Sequence, residues 1–226
     1  MLPGLGYGKI YGDRLRGFRA GGEYGIMWAG AGTSERAGSS PLSRMRVIAG
    51  KAKGQSLKAP KGLRTRPTTQ LVRGAIFSIL ESVTGDWSRV LDLYAGSGAL
   101  GIEALSRGAG WADFVEQEPR CSQLIKRNLE ATGLAAQARV YCCQVAKALS
   151  FLSGEYNIIL MDPPYSDSSM DTPLEKLAAS SLVGANSTIV VPHSCHLPLS
   201  SSYGRLQLIK QRRHGDTCIS VYREGH

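Results

Sequence analysis

The chain lacks several features that would assign it to a common class of protein. No apolar run in its 226 residues approaches the ~20 residues that cross a bilayer, which argues against a membrane-spanning helix. The first residues lack the basic and then apolar pattern of a secretory signal peptide, so we expect a cytoplasmic protein. The five cysteines are odd in number and include no C-x-x-C, which argues against a disulfide framework and favours reduced thiols.

Acidic residues are missing from one long stretch. There is no Asp or Glu from Arg36 to Leu80, and the whole chain carries a net charge of +9. Phosphate backbone is the natural partner of an uncompensated basic run, although a solvated basic face is the plainer alternative. We therefore predict contacts to a nucleic-acid backbone. The side chains predicted to make them are Lys51, Lys53, Lys58, Arg64, Arg66 and Arg73.

Metal-ligating side chains do not cluster as they do in metal sites. His193, Cys195 and His196 are close in sequence, but no partner pair stands elsewhere at zinc spacing. We therefore predict no bound metal. These residues are interpreted as part of a loop that follows the fifth predicted strand.

Alternating strand and helix patterns cover the second half of the chain. The predicted strands are 89–94, 111–116, 138–143, 156–161 and 187–191, and the predicted helices are 99–107, 119–132, 144–152 and 172–180. Two further β-like runs, 205–211 and 216–223, predict an antiparallel hairpin. This order predicts an α/β fold, doubly wound around a mostly parallel, seven-stranded sheet.

The N-terminal part of the chain follows other patterns. Residues 1–44 are rich in glycine without sustained apolar periodicity, and they predict a poorly ordered extension or a non-native head. Residues 45–84 predict a small basic hairpin, with strands at 46–49 and 55–58, and a helix capped by Thr68. Residues 85–226 then form the predicted catalytic domain.

A glycine-rich loop follows the first predicted strand of that domain. Gly96 to Gly101 read G-x-G-x-x-G between a strand and a helix, which is typical of a nucleotide-like ligand site. Asp92, at the strand end, would repel a pyrophosphate but suits the ammonium of a methionine moiety. Glu116, at the end of the next strand, is placed to bind ribose hydroxyls, with Glu118 as a neighbouring alternative. The pattern therefore favours S-adenosylmethionine over a dinucleotide.

A second loop, Asp162-Pro163-Pro164-Tyr165, follows the strand predicted at 156–161. Its two prolines remove N–H donors and leave the Asp162 carboxylate and the Pro163 carbonyl as acceptors. Such a loop suits an exocyclic amine on a base, against which Tyr165 would stack. The plainer alternative is an Asp-Pro turn with a core tyrosine. We expect both loops at the carboxyl ends of neighbouring parallel strands.

From Met45 to about Glu224 the chain resembles the RsmD family of bacterial 16S rRNA guanine-N2 methyltransferases. The resemblance is carried by Arg46-Val47-Ile48-Ala49-Gly50, by Arg66-Pro67-Thr68, by the long string from Asp92 to Ala109, and by Asp162-Pro163-Pro164-Tyr165. It implies a class I methyltransferase fold, S-adenosylmethionine as cofactor, and 16S rRNA or an assembling small ribosomal subunit as partner. Independently of the resemblance, we expect a monomer that acts without a metal or a membrane.

The resemblance also implies roles for particular residues. The cofactor residues it implies are Asp92, Ala95, Gly96, Ser97, Gly98, Glu116 and Gln144, and the target-base residues are Asp162, Pro163, Pro164 and Tyr165. The chain departs from the family pattern at several positions. Gln70 and Gly74 stand where Asp and Glu are usual, Gln144 replaces an Asp near the adenine, and Pro192 stands where a Glu commonly follows the fifth strand.

Three hypotheses follow from these patterns. The first is an RNA methyltransferase that uses S-adenosylmethionine. The second is a nicotinamide-dependent oxidoreductase that uses the same glycine loop. Asp92 and the Asp162-Pro163-Pro164-Tyr165 loop argue against it. The third is a basic RNA-binding module that has lost catalysis, against which the retention of both loops argues.

Overall fold

The computed structural model describes residues 45–60, 69–163 and 170–225, which form a mixed sheet with helices on both faces. The helices are α1 (Gln70–Val83), α2 (Ala99–Ser106), α3 (Pro119–Ala131), α4 (Val145–Phe151) and α5 (Asp171–Ala178). The strands are β1 (Arg89–Leu93), β2 (Trp111–Glu116), β3 (Ala138–Cys142), β4 (Ile158–Met161), β5 (Thr188–Ser194), β6 (Ser202–Tyr203), β7 (Leu206–His214) and β8 (Thr217–Glu224).

The strand order of the described residues is β3-β2-β1-β4-β5-β8-β7-β6. The first five strands of this order run parallel, and β8, β7 and β6 continue the sheet in antiparallel pairs. The predicted doubly wound α/β class is confirmed. The predicted count of seven strands is exceeded by one in the described residues, because the two-residue strand β6 is too short to leave a periodic pattern.

Two boundaries differ from the sequence-based expectation. The cap of α1 is Thr69, whose hydroxyl accepts a hydrogen bond from the Val72 amide at 3.3 Å, and the predicted cap Thr68 lies outside the described residues. Strand β5 continues to Ser194, so Pro192 and His193 are strand residues and not a loop. Pro192 is tolerated there because it lies beyond Val190, the last β5 residue in register with β4.

The sheet separates two apolar layers. One face packs against α1, α2 and α3 through residues such as Phe77 and Phe114, and the other packs against α4 and α5 around Tyr156 and Tyr222. Residues 45–58, which we call the arm, belong to the first layer. The hairpin predicted for the arm is reduced to one antiparallel bridge, between Arg46 and Ser56. The division of the chain at residues 44 and 84 stays a prediction.

The expectation that all cysteines are reduced thiols is wrong. The sulfur atoms of Cys195 and Cys218 are joined in a disulfide, with their Cα atoms 5.0 Å apart. The pairing of β5 with β8 brings them together, because Ser194 lies opposite Thr217 and the Cys195 amide donates to the Asp216 carbonyl. A count of cysteines contains no information on that register.

Within the described residues, no helix is both long and apolar enough to cross a membrane. The same part of the chain holds no group of three His, Cys, Asp or Glu side chains that could bind a metal ion.

Candidate active site

The two loops singled out in the sequence lie side by side. Strands β1 and β4 are parallel neighbours, with Leu93 in register with Met161, and the Asp162 amide donates to the Leu93 carbonyl at 3.4 Å. The connections from β1 and β4 leave the sheet in opposite directions along the strand order. Ligands of open α/β sheets bind at such a switch point, beyond the carboxyl ends of the strands. The predicted adjacency of the two loops is therefore confirmed.

The backbone of the first loop turns through left-handed conformations. Gly96 and Gly98 have φ angles of +55° and +76°, which glycine adopts without strain. A Cβ atom on Gly98 would also lie 3.0 Å from the Cγ2 atom of Ile125. Tyr94, which the sequence did not single out, has a φ of +61°, the only positive φ of a non-glycine among the described residues. Such strain is common at ligand sites, so Tyr94 joins the candidate residues.

Asp92 is buried at the end of β1 with one oxygen bound and one open. Its Oδ2 accepts a hydrogen bond from the Gly101 amide at 2.8 Å, while Oδ1 has no hydrogen-bond partner among the described residues. Burial raises the pKa of the Asp92 carboxyl well above its usual range, and the charges of Asp162 and Glu116 raise it further. An open buried acceptor costs free energy unless a donor reaches it. The position therefore suits a cationic ligand group.

Gly101 shows how tightly this part of the loop is built. A Cβ atom on Gly101 would lie 2.4 Å from Cε1 of Phe114 and 3.1 Å from Oδ2 of Asp92. Only glycine lets α2 begin this close to β2 and to the carboxylate.

Glu116 joins the end of β2 to the glycine loop. Its Oε2 accepts from the Gly96 amide and its Oε1 from the Glu118 amide, both at 2.8 Å. A carboxylate has about four lone-pair positions, so two remain for other donors. Glu118 is instead the N-cap of α3, where its side chain accepts from the Arg120 amide. Of the two acids, Glu116 is the one tied to the loop.

The remaining predicted cofactor residues lie around the same edge. The Ala95 amide donates to the Val115 carbonyl at 3.1 Å, which ties the loop to β2. Ser97 is buried, and its carbonyl accepts from Nδ2 of Asn128 at 2.9 Å. Gln144 is exposed at the start of α4, where its side chain makes no capping hydrogen bond. The side-chain amide of Gln144, directly after β3, is therefore not used as a helix cap and is exposed.

Of the second loop, Asp162-Pro163-Pro164-Tyr165, the structure describes only the first two residues. Asp162 is half-buried and Pro163 is buried, both directly after β4. Pro164 and Tyr165 lie outside the described residues. Asp92, Glu116 and Asp162 thus converge from three neighbouring strands, which places three acceptors around one edge of the sheet.

The predicted RNA-binding residues fall into three groups. Lys51, Lys53 and Lys58 are exposed on the arm, and Arg64 and Arg66 lie outside the described residues. Arg73 is only 1% exposed, and its Nη2 donates to the Arg46 carbonyl at 2.8 Å. Burial lowers the pKa of the Arg73 guanidinium, while the charge of Glu103 raises it. Its depth favours a role in holding the arm over a direct contact with phosphate.

Two polar residues that the sequence did not single out hold the arm in place. Glu103 accepts hydrogen bonds from the Ile48 amide at 2.7 Å and the Ala49 amide at 3.0 Å. Asn128 pairs with both the amide and the carbonyl of Lys58, at 2.9 and 3.0 Å. Because Asn128 also holds the Ser97 carbonyl, the basic arm and the glycine loop share one anchor. Contacts this distant in sequence leave no local pattern.

Comparison with known proteins gives one consistent family. A family profile described as "Conserved hypothetical protein 95" matches residues 45–223. A candidate rRNA methyltransferase, YlbH of Bacillus subtilis (strain 168), is 36% identical over 183 residues, 80% of this chain and 99% of that protein. The ribosomal RNA small subunit methyltransferase D of Escherichia coli (strain K12) is 32% identical over 186 residues, 81% of this chain and 91% of that protein.

A solved structure of similar fold agrees with these relatives. The candidate methyltransferase yhhF from Escherichia coli superposes with a TM-score of 0.71 at 29% identity, covering 81% of this chain and 99% of that one.

Proposed function

The chain belongs to the RsmD family of ribosomal RNA methyltransferases, and from this membership we propose that it methylates the exocyclic N2 amine of a guanine in 16S rRNA, with S-adenosylmethionine as the methyl donor. The observation that carries the proposal is the convergence of Asp92, Glu116 and Asp162 at one edge of the sheet, with a buried open oxygen on Asp92. The substrate is free 16S rRNA or the assembling small subunit, and the enzyme is a cytoplasmic monomer.

The cofactor half of the proposal rests on the chemistry of the donor set. The open Oδ1 of Asp92 suits the ammonium of the methionine moiety, and Glu116 retains lone pairs for the ribose hydroxyls. The left-handed glycines Gly96 and Gly98 allow close approach of the backbone. When bound, S-adenosylmethionine supplies an electrophilic methyl group on a sulfonium. Gln144 is assigned to the adenine edge on the family resemblance.

The part of the proposal that concerns the target base rests on two hydrogen-bond acceptors. The Asp162 carboxylate and the Pro163 carbonyl accept hydrogen bonds from the two N–H groups of the amine, which pulls its nitrogen toward tetrahedral geometry and frees its lone pair. Positioning of the amine then supplies much of the rate. The sequence assigns stacking on the base to Tyr165, beside Pro164, once the base has turned out of its helix. The exposed lysines of the arm, together with Arg64 and Arg66, hold the RNA backbone.

The decisive experiment is nucleoside mass spectrometry of 16S rRNA from cells that lack the protein. We expect N2-methylguanosine to appear after treatment with the protein and S-adenosylmethionine, and not with an Asp162→Ala variant that still binds S-adenosylhomocysteine. Formation of N6-methyladenosine or N4-methylcytidine would overturn the choice of base. A melting shift with NAD in place of S-adenosylhomocysteine would instead favour the oxidoreductase.

A further inference from the structure

A second basic surface lies outside the arm, along the outer edge of β7 in the β7–β8 hairpin, where successive side chains point to opposite faces of the sheet. Strand β7 carries four basic side chains within five positions, Lys210, Arg212, Arg213 and His214. The last three are exposed, and none of the four takes part in an ion pair within the described residues. We call these four residues the hairpin cations.

The register of the sheet puts this surface beside the candidate active site. Thr217 lies opposite Ser194 at the carboxyl end of β5, and His214 lies opposite Thr217. The tip of the hairpin therefore rises at the same edge as Asp162. Strand β7 is three strand spacings from β4, a lateral distance of about 14 Å. Phosphates that flank a base held at Asp162 are within reach of such a surface.

The outer edge of β7 is open. Strand β6 pairs only with Leu206 and Gln207, so the edge from Ile209 to His214 has no strand partner among the described residues. Its backbone N–H groups add donors to those of the side chains. The Arg212 side chain has no hydrogen bond to another described residue, and the Arg213 side chain donates only to the Gly215 carbonyl of its own turn. The Lys210 ammonium donates to the Ser82 hydroxyl at 3.2 Å. The turn between β7 and β8 contains one acid, Asp216.

From this geometry we propose that the hairpin cations bind the RNA backbone next to the target nucleotide. The RNA would be held on two sides, by the arm at one and by the β7 edge at the other. The inference rests on the proposed function, since it takes RNA as the substrate. The plainer explanation is that edge cations merely prevent sheets from pairing edge to edge.

The test compares two pairs of adjacent exposed cations. One variant carries Arg212→Gln and Arg213→Gln, and the matched control carries Lys126→Gln and Arg127→Gln on α3. The probe is a labelled uridine homopolymer, titrated at several salt concentrations. Because it contains no guanine, its binding is independent of the methyl-transfer assignment.

We expect the hairpin variant to bind the homopolymer about tenfold more weakly and to lower the salt slope by about 1.4, since each phosphate contact to a single strand contributes about 0.7. The control variant should match the wild type, and both should bind S-adenosylhomocysteine as before. Equal slopes in all three proteins would overturn the proposal. So would a hairpin variant that self-associates in light scattering yet binds RNA normally.

Discussion

Two carboxylates in this molecule are buried to the same depth and used differently. Asp92 at the glycine loop and Glu103 beneath the arm are each 1% exposed. Glu103 accepts from the Ile48 and Ala49 amides and pairs with Arg107 at 2.8 Å. Asp92 accepts from one amide and keeps Oδ1 open.

The difference separates a structural acid from a candidate ligand site. A buried carboxylate whose oxygens are all bound holds its neighbours in place, and its removal leaves their donors unpaired. A buried carboxylate with an open oxygen costs free energy in the folded protein, and a ligand that supplies the donor recovers that cost. Stability and affinity should therefore respond in opposite ways at the two positions.

The largest effect is expected for Glu103→Ala. The substitution leaves the Ile48 and Ala49 amides unpaired and removes one of the two carboxylate partners of Arg107. It should lower the free energy of unfolding by about 3–5 kcal/mol. Urea unfolding at neutral pH measures this. The matched control is Glu81→Ala, which removes the exposed partner of Arg107 and should cost less than about 1 kcal/mol. Equal losses in the two variants would contradict the structural role of Glu103.

Asp92→Asn should weaken ligand binding without lowering the stability of the fold. Calorimetry should show binding of S-adenosylhomocysteine weakened by about 1–3 kcal/mol, because the ammonium loses a charged acceptor. The free energy of unfolding should stay level or rise, because an unpaired buried charge is removed. Asp113→Asn is the control, since both oxygens of this buried aspartate are bound, to Tyr156 and Trp111. It should lose stability instead, and a destabilised Asp92→Asn would break the comparison.

The free energies of unfolding of the wild type and Asp92→Asn should differ by an amount that depends on pH. Burial raises the pKa of Asp92 in the folded state, so the protonated carboxyl stabilises the fold. This contribution is complete below the unfolded value of about 3.9 and is lost as the pH rises through the folded pKa. The stability advantage of Asp92→Asn should therefore be small in acid, grow as the pH rises, and then level off. Urea titrations across a pH series test this, and a constant difference would refute the shift.

The smallest effect is expected for Glu118, which follows β2, in comparison with Glu116, the last residue of that strand. Glu118→Ala removes the N-cap of α3 and should cost about 1 kcal/mol of stability without changing cofactor affinity. Glu116→Ala should weaken binding of S-adenosylhomocysteine by about 1–3 kcal/mol. Calorimetry on both variants decides the assignment. If only Glu118→Ala bound S-adenosylhomocysteine more weakly, the cofactor role would belong to Glu118 and not to Glu116.

The sequence predicted those parts of the molecule that local pattern controls. The alternation of strands and helices, the glycine loop after β1 and the acceptor loop after β4 all follow from short-range periodicity and residue type. The adjacency of the two loops followed from the topology of parallel sheets. A ligand role could be predicted for Asp92 because the charge of a carboxylate and its place at the end of a strand are known from the sequence.

The parts that were missed depend on distant contacts. Neither Glu103 nor Asn128 stands out locally, because each acts on arm residues more than 50 positions away. The left-handed backbone of Tyr94 contradicts the preference of its residue type and is imposed by the surrounding loop. The length of β5 and the Cys195–Cys218 disulfide both follow from pairing with β8, which the sequence does not specify.

The shared anchor at Asn128 has a consequence for synthesis of the chain. The arm leaves the ribosome early, but Lys58 finds its partner 70 positions later, once α3 has been made. Until then the arm has neither its anchor nor the carboxylate of Glu103. Asn128 also donates to the Ser97 carbonyl, so the arm and the glycine loop acquire their common anchor at the same point in synthesis. Under the proposed function, a growing chain would therefore bind RNA through the anchored arm only when the glycine loop is anchored as well.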